Sequence, residues 1–88
     1  MSKDINKNDV NILIIDDERL IRESLYEILR IEGYNVNMAQ SAEEAMGLLE
    51  HEDFDVILTD MKLPQKSGIE LLEHVKNEHA HIEVILIT

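Results

Sequence analysis

The order of apolar runs along the 88 residues predicts an α/β fold, an open sheet of parallel strands with helices packed on it. Three observations carry that prediction. Short apolar runs of strand length recur along the chain, segments with apolar residues at helical spacing lie between them, and the connections are short. Strict alternation of strand and helix with short links specifies parallel pairing through right-handed crossovers.

Taken in order, Ile12 to Ile15 is a continuous apolar run of the kind shown by a strand buried on both faces. From Arg19 to Ile31 the residues Leu20, Ile21, Leu25, Ile28 and Leu29 fall at helical spacing, and Gly33 supplies a helix stop. Residues 34–39, YNVNMA, alternate Tyr34, Val36 and Met38 with Asn35, Asn37 and Ala39, as an edge strand with one shallower face would. Ser41 stands three residues before Glu44 in a capping-box arrangement, and Ala42, Ala45, Met46 and Leu49 make one apolar face, so a second helix runs from Ala42 to His51. Asp55 to Asp60, DVILTD, is a third strand, followed by the loop MKLPQKSG. Ser67 and Glu70 form another capping box ahead of Ile69, Leu72, Val75 and Lys76, and Ile82 to Ile87 is a fourth strand that brings the chain to Thr88.

Composition narrows the function classes. A chain this short makes one domain and buries only about 60% of its unfolded surface, so its core is marginal. Nineteen Asp and Glu against eight Lys and Arg leave a net charge of −11, the wrong sign for a phosphate-binding surface; no nucleic-acid contact is expected from this segment. With no cysteine, neither a disulfide framework nor a thiolate zinc site is available, and the reading is a cytoplasmic chain. The apolar runs are too short to span a membrane. Residues 1–9, MSKDINKND, read as a disordered polar leader without a signal-peptide core.

The chemistry is concentrated where strands end. NILIIDDE drives an apolar run into Asp16, Asp17 and Glu18, and adjacent like charges disfavour ionisation unless something positive sits among them. Open parallel sheets bind ligands beyond the carboxyl ends of their strands. If the first and third strands are neighbours, Asp16, Asp17 and Asp60 converge there. Oxygen-only ligands favour Mg²⁺ or a similar hard cation. Asp60 stands alone at its strand end and is the better nucleophile, since an aspartate can form an acyl phosphate when a metal neutralises the incoming phosphoryl oxygens; the paired Asp16 and Asp17 suit ion binding. Glu18 reads as a helix N-terminal charge. His51, His74, His79 and His81 show no third ligand and read as solvated, while Met38, Met46 and Met61 read as core or loop residues.

IIDDE, the lone Asp60 in LTD, Pro64 four residues on, Gly68 eight residues on, and ILIT closing the next strand together resemble the receiver domain of two-component response regulators. The likeness covers Val10 to Thr88. It implies a flavodoxin-like open parallel sheet with helices on both faces, in strand order 2-1-3-4-5, for which a receiver is one of the standard examples. It further implies that Asp60 accepts a phosphoryl group from a phosphohistidine on a sensor histidine kinase. Asp17, Asp60 and the backbone carbonyl of Met61 would ligate Mg²⁺, with Asp16 acting directly or through a water. Thr88 would be the switch hydroxyl that swings toward the phosphoryl oxygens. Receivers also dephosphorylate themselves, so the implied role is a timed switch and not a dedicated enzyme.

Receivers continue past the fourth strand with a helix, a fifth strand ending in a lysine, and a final helix. None of Lys3, Lys7, Lys62, Lys66 or Lys76 occupies a place equivalent to that lysine. Residues 10–88 are therefore expected to be the N-terminal part of a receiver, with the fourth strand left as an apolar edge and half of one sheet face uncovered. Three situations fit: a longer protein with an output domain beyond residue 88, a fragment completed by another chain as a dimer or swapped assembly, or a partly folded monomer. The first is expected, because no terminating signal precedes Thr88. The free 88-residue chain should then bind Mg²⁺ weakly and phosphorylate poorly. Two other functions are weighed. A Mg²⁺-dependent aspartyl phosphatase ranks low, because such sites space their aspartates by one residue whereas these adjoin; a phosphorylation-independent interaction module is the alternative ahead of it and gains weight only if the natural protein ends at Thr88.

Overall fold

A computed structural model describes residues 6–63 and 68–87. Within them the chain forms β1 (Asn11–Ile15), α1 (Arg19–Ile31), β2 (Asn35–Ala39), α2 (Ala42–His51), β3 (Val56–Asp60), α3 (Gly68–Glu78) and β4 (Glu83–Ile87). The four strands make one parallel sheet in the order β2-β1-β3-β4. This is the open α/β arrangement that the alternation predicts, with β2 at one edge as its mixed face suggests. Tyr34, Asp55 and Ile82 fall one residue outside the strands assigned to them.

Local chemistry sets the element ends. α1 stops in a Schellman turn: Gly33 has a φ of 107°, and the amides of Gly33 and Tyr34 donate to the carbonyls of Arg30 and Leu29. α2 starts on Ser41, whose hydroxyl accepts from the Glu44 amide at 3.1 Å, while the Glu44 carboxylate reaches back to the amide of Gln40 at 2.8 Å. Of the second capping box, Ser67 lies outside the described residues, as do Pro64 and Lys66.

The two faces of the sheet are covered unequally. Leu13, Ile15 and Ile57 pack with Leu49 of α2 and Leu71 and Val75 of α3 into one buried cluster. Ile12 and Ile14 point the other way, toward α1, and are buried as well. No residue of α1 is itself buried: Leu20, Ile28 and Ile31 are 81%, 58% and 71% exposed. The helix is where the periodicity puts it, but much of its apolar face has no partner among the described residues. Beside α1, over β1, β3 and β4, lies an apolar groove of about 440 Å³ lined by Ile12, Leu29, Tyr34, Val56, Leu58 and Ile85. The sheet face expected to lie half uncovered is this one.

Two details differ from the sequence reading. Ala39, assigned to the polar face of the edge strand, is buried, because α2 begins three residues later and folds back over that strand end; Asn35 and Asn37 are exposed as expected. Of the segment read as a polar leader, residues 1–5 lie outside the described residues, but Lys7–Asp9 form a 3-10 turn. Its Lys7 ammonium meets the Glu32 carboxylate at 3.1 Å and the Tyr34 ring at 5.8 Å, and the Asn8 carbonyl accepts from the Asn35 side chain. That part of the leader packs on the turn between α1 and β2.

Candidate functional site

Register builds the site. Ile15 of β1 pairs with Thr59 of β3, so the next residues, Asp16 and Asp60, leave the sheet side by side at its carboxyl edge. Neighbouring strands run about 4.8 Å apart, which fixes the scale of the gap between them. Asp17 follows immediately. One carboxylate oxygen from each of Asp16, Asp17 and Asp60 lies within 4.8 Å of the other two. Asp16 is buried, Asp60 half-buried and Asp17 exposed, so the cluster opens to solvent on the Asp17 side.

Among the described residues, each buried polar side-chain atom has a hydrogen-bond partner. The Asp16 amide donates to the Ala39 carbonyl at 3.2 Å, its carboxylate accepts from the Glu18 amide at 2.8 Å, and its carbonyl accepts from the Arg22 guanidinium at 2.8 Å. Glu18 is thus the residue that precedes α1 and steadies Asp16 through its main chain. The Asp60 carboxylate accepts from the Lys62 amide at 3.0 Å, and the Met61 amide donates to the Ile87 carbonyl at 3.2 Å. The Met61 carbonyl accepts from the Gly68 amide at 2.8 Å, which leaves its second lone pair. A Cβ on Gly68 would lie 2.5 Å from the Asp60 carbonyl oxygen and 2.9 Å from the Met61 Cα. The close approach of α3 to this loop requires a glycine there, a reason the spacing alone does not give.

Electrostatics set what the cluster needs. Two unit charges 4.8 Å apart repel by about 1 kcal/mol in water and about 3 kcal/mol at an effective dielectric near 20. Among the described residues, no lysine or arginine ion-pairs with Asp16, Asp17 or Asp60; the ion pairs formed are Lys7–Glu32, Arg19–Glu23, Arg30–Glu27 and His81–Asp53. Ligands on opposite sides of Mg²⁺ stand about 4.2 Å apart, twice a bond of about 2.1 Å. The oxygen-only donor set and its spread fit a hard divalent cation.

The remaining expectations fall as follows. Thr88 lies outside the described residues. Lys62 is exposed beside the cluster, Met46 packs against the core, and Met61 is a partly exposed loop residue. His81 hydrogen-bonds Asp53 at 2.6 Å, which holds that carboxyl below its ordinary range, and the His74 and His79 rings are 5.9 Å apart. Neither group reaches the acidic cluster. The sequence reading passed over Arg22; its signal is an arginine in the first turn of the helix, five residues after Asp17.

Comparison with known proteins agrees with the fold. The family model for the response regulator receiver domain matches residues 12–88. Among curated relatives, response regulator MprA of Mycolicibacterium vanbaalenii is 32% identical over 79 residues, covering 90% of this chain and 34% of the relative. Transcriptional regulatory protein CpxR of Escherichia coli is 38% identical over 77 residues, 88% of this chain and 32% of the relative. The chain thus spans about a third of the length of the curated relatives it matches. Among solved structures, a CheY-like receiver domain protein from Methanospirillum hungatei superposes with a TM-score of 0.85 at 39% identity, covering 88% of this chain and 62% of the other. Response regulator TrrA of Thermotoga maritima, solved in complex with Mg²⁺ and BeF, gives 0.83 at 34% identity, with 88% and 67% covered. With the matched region running from the first buried residue of β1 through both carboxylate-bearing strand ends, the chain belongs to the response regulator receiver domains of two-component systems.

Proposed function

We propose that Asp60 is the phosphoacceptor of this receiver, taking a phosphoryl group from a phosphohistidine on a sensor histidine kinase, with Mg²⁺ held by Asp16, Asp17, Asp60 and the Met61 carbonyl. The observation that carries this reading is the meeting of three carboxylates from two strand ends within 4.8 Å, with no side-chain cation from the described residues among them. In the transfer an oxygen of Asp60 displaces the imidazole nitrogen from phosphorus, so one P–O bond forms as one P–N bond breaks. When bound, Mg²⁺ supplies neutralisation of the charge on the phosphoryl oxygens.

The chain's own residues position that chemistry. The Lys62 amide aims the Asp60 carboxylate, the Glu18 amide and Arg22 fix Asp16, and the glycine at 68 lets α3 close against the loop. Thr88 would report the modified state through its hydroxyl, and water attack on the acyl phosphate would reset it. On this reading the segment is a switch, not a dedicated enzyme, and its consequence is delivered through an output domain in the whole protein.

The test is intact-mass measurement of the chain after incubation with acetyl phosphate. Addition of one phosphoryl group to a minor fraction of the chain, requiring Mg²⁺ and disappearing in Asp60→Asn, is the expected result. Label that persists in Asp60→Asn, or that ignores chelation of Mg²⁺, overturns the assignment.

A further inference from the structure

Arg22 is the half-buried arginine of a chain with a net charge of −11, yet it reaches for a main-chain carbonyl. Arg19 and Arg30, on the same helix, have exposed side chains and pair with Glu23 and Glu27. Among the described residues Arg22 has no such ion pair; its guanidinium donates to the carbonyl of Asp16 at 2.8 Å. That carbonyl belongs to the peptide unit whose amide is Asp17's.

We propose that Arg22 is a positioning residue of the acidic pocket, fixing the Asp16–Asp17 peptide and thereby the place of the Asp17 carboxylate for a bound divalent cation. The inference rests on reading the pocket as a divalent-cation site. A peptide unit is planar, so a bond that fixes its oxygen also fixes the direction in which the chain enters Asp17. The guanidinium is a rigid planar fork, suited to hold an oxygen in one direction as a flexible ammonium is not. Asp16 is thereby tied at all three of its polar groups: amide to Ala39, carboxylate to Glu18, carbonyl to Arg22. Asp17, exposed and next in the chain, inherits its place from them. The positive charge also reaches the acidic edge through a carbonyl, so it leaves the carboxylate oxygens for the cation. Partners hydrogen-bonded to the ligating groups themselves typically contribute about 10- to 100-fold to metal affinity, and one acting through the adjoining peptide unit is expected at the low end of that range.

A purely structural role would be to dock α1 on β1, and the experiment separates the two. Mn²⁺ affinity of the 88-residue chain is measured by the electron spin resonance of the free ion, with folding checked at the same temperature by circular dichroism. Arg22→Met keeps the apolar stem and removes the donor. The expected result is a folded protein whose Mn²⁺ affinity falls about ten-fold. A folded Arg22→Met with affinity within about two-fold of wild type overturns the inference and leaves Arg22 a docking residue only. Should Arg22→Met not fold, Arg22→Lys takes its place, because it keeps charge and stem but lacks the planar fork; a loss of about three-fold or more supports the inference and an unchanged affinity overturns it. Asp17→Asn is the control for the pocket itself. A wild type that binds Mn²⁺ no better than Asp17→Asn removes the cation-site reading, and the role of Arg22 with it.

Discussion

A methyl group at position 68 would stand 2.5 Å from the carbonyl oxygen of Asp60, well inside the van der Waals contact of a carbon and an oxygen from separate residues. The atoms it meets are backbone, so they cannot swing aside as a side chain would. Gly68→Ala is therefore expected to destabilise the chain by about 1–3 kcal/mol, measured by urea denaturation, and to reduce labelling of Asp60 further than that loss explains. Asp17 shows the opposite balance. Its charge is held beside two others, so Asp17→Asn should raise the melting temperature in chelator by relieving about 1 kcal/mol of repulsion. These residues differ in how far the sequence disclosed them. Asp16, Asp17 and Asp60 were legible because carboxylates closing apolar runs are chemically conspicuous and strand order brings the runs together. Arg22 was not, because an arginine in a helix whose other arginines face solvent looks like one more surface charge, and its turn toward the Asp16 carbonyl arises only when the helix packs beside β1.

The elements were legible wherever local chemistry alone decides them. The Gly33 turn, the Ser41 cap and the apolar runs of β1 and β3 each follow from a few neighbouring side chains, and the bounds of α1 and α2 fall where periodicity and caps place them. Ser41→Ala removes the acceptor of the Glu44 amide and should cost about 1 kcal/mol in denaturation experiments while leaving Mg²⁺ affinity unchanged, since α2 contributes none of the three carboxylates. What periodicity could not disclose is how deep an apolar stripe sits. The spacing of Leu20, Ile21, Leu25, Ile28 and Leu29 is that of a core-facing helix, yet Leu20 and Ile28 are mostly exposed. Depth depends on which other elements arrive to cover the stripe, and that information is not local. Ala39 is the same lesson reversed: alternation placed it with the asparagines, and the fold-back of α2 buried it.

For the molecule as a whole, the proposed cation site would link stability to cation binding through the acidic edge. A cation that binds the folded chain and not the unfolded one stabilises it by about 2.7 kcal/mol at a hundred times its dissociation constant. Titrating Mg²⁺ should raise the melting temperature of wild type progressively and that of Asp17→Asn very little, so the two curves, reversed in chelator, should cross as Mg²⁺ increases. The unequal covering of the two sheet faces has a different outcome. α1 contributes no buried residue, whereas α2 and α3 each contribute three. Amide exchange with deuterated water should therefore be faster along residues 19–31 than along 42–51, by opening events that leave the opposite layer closed. The helix that carries Arg22 would detach before the sheet does, and each detachment would loosen the grip on Asp16, so residence of a cation at the strand ends should be timed by the breathing of one lightly held helix.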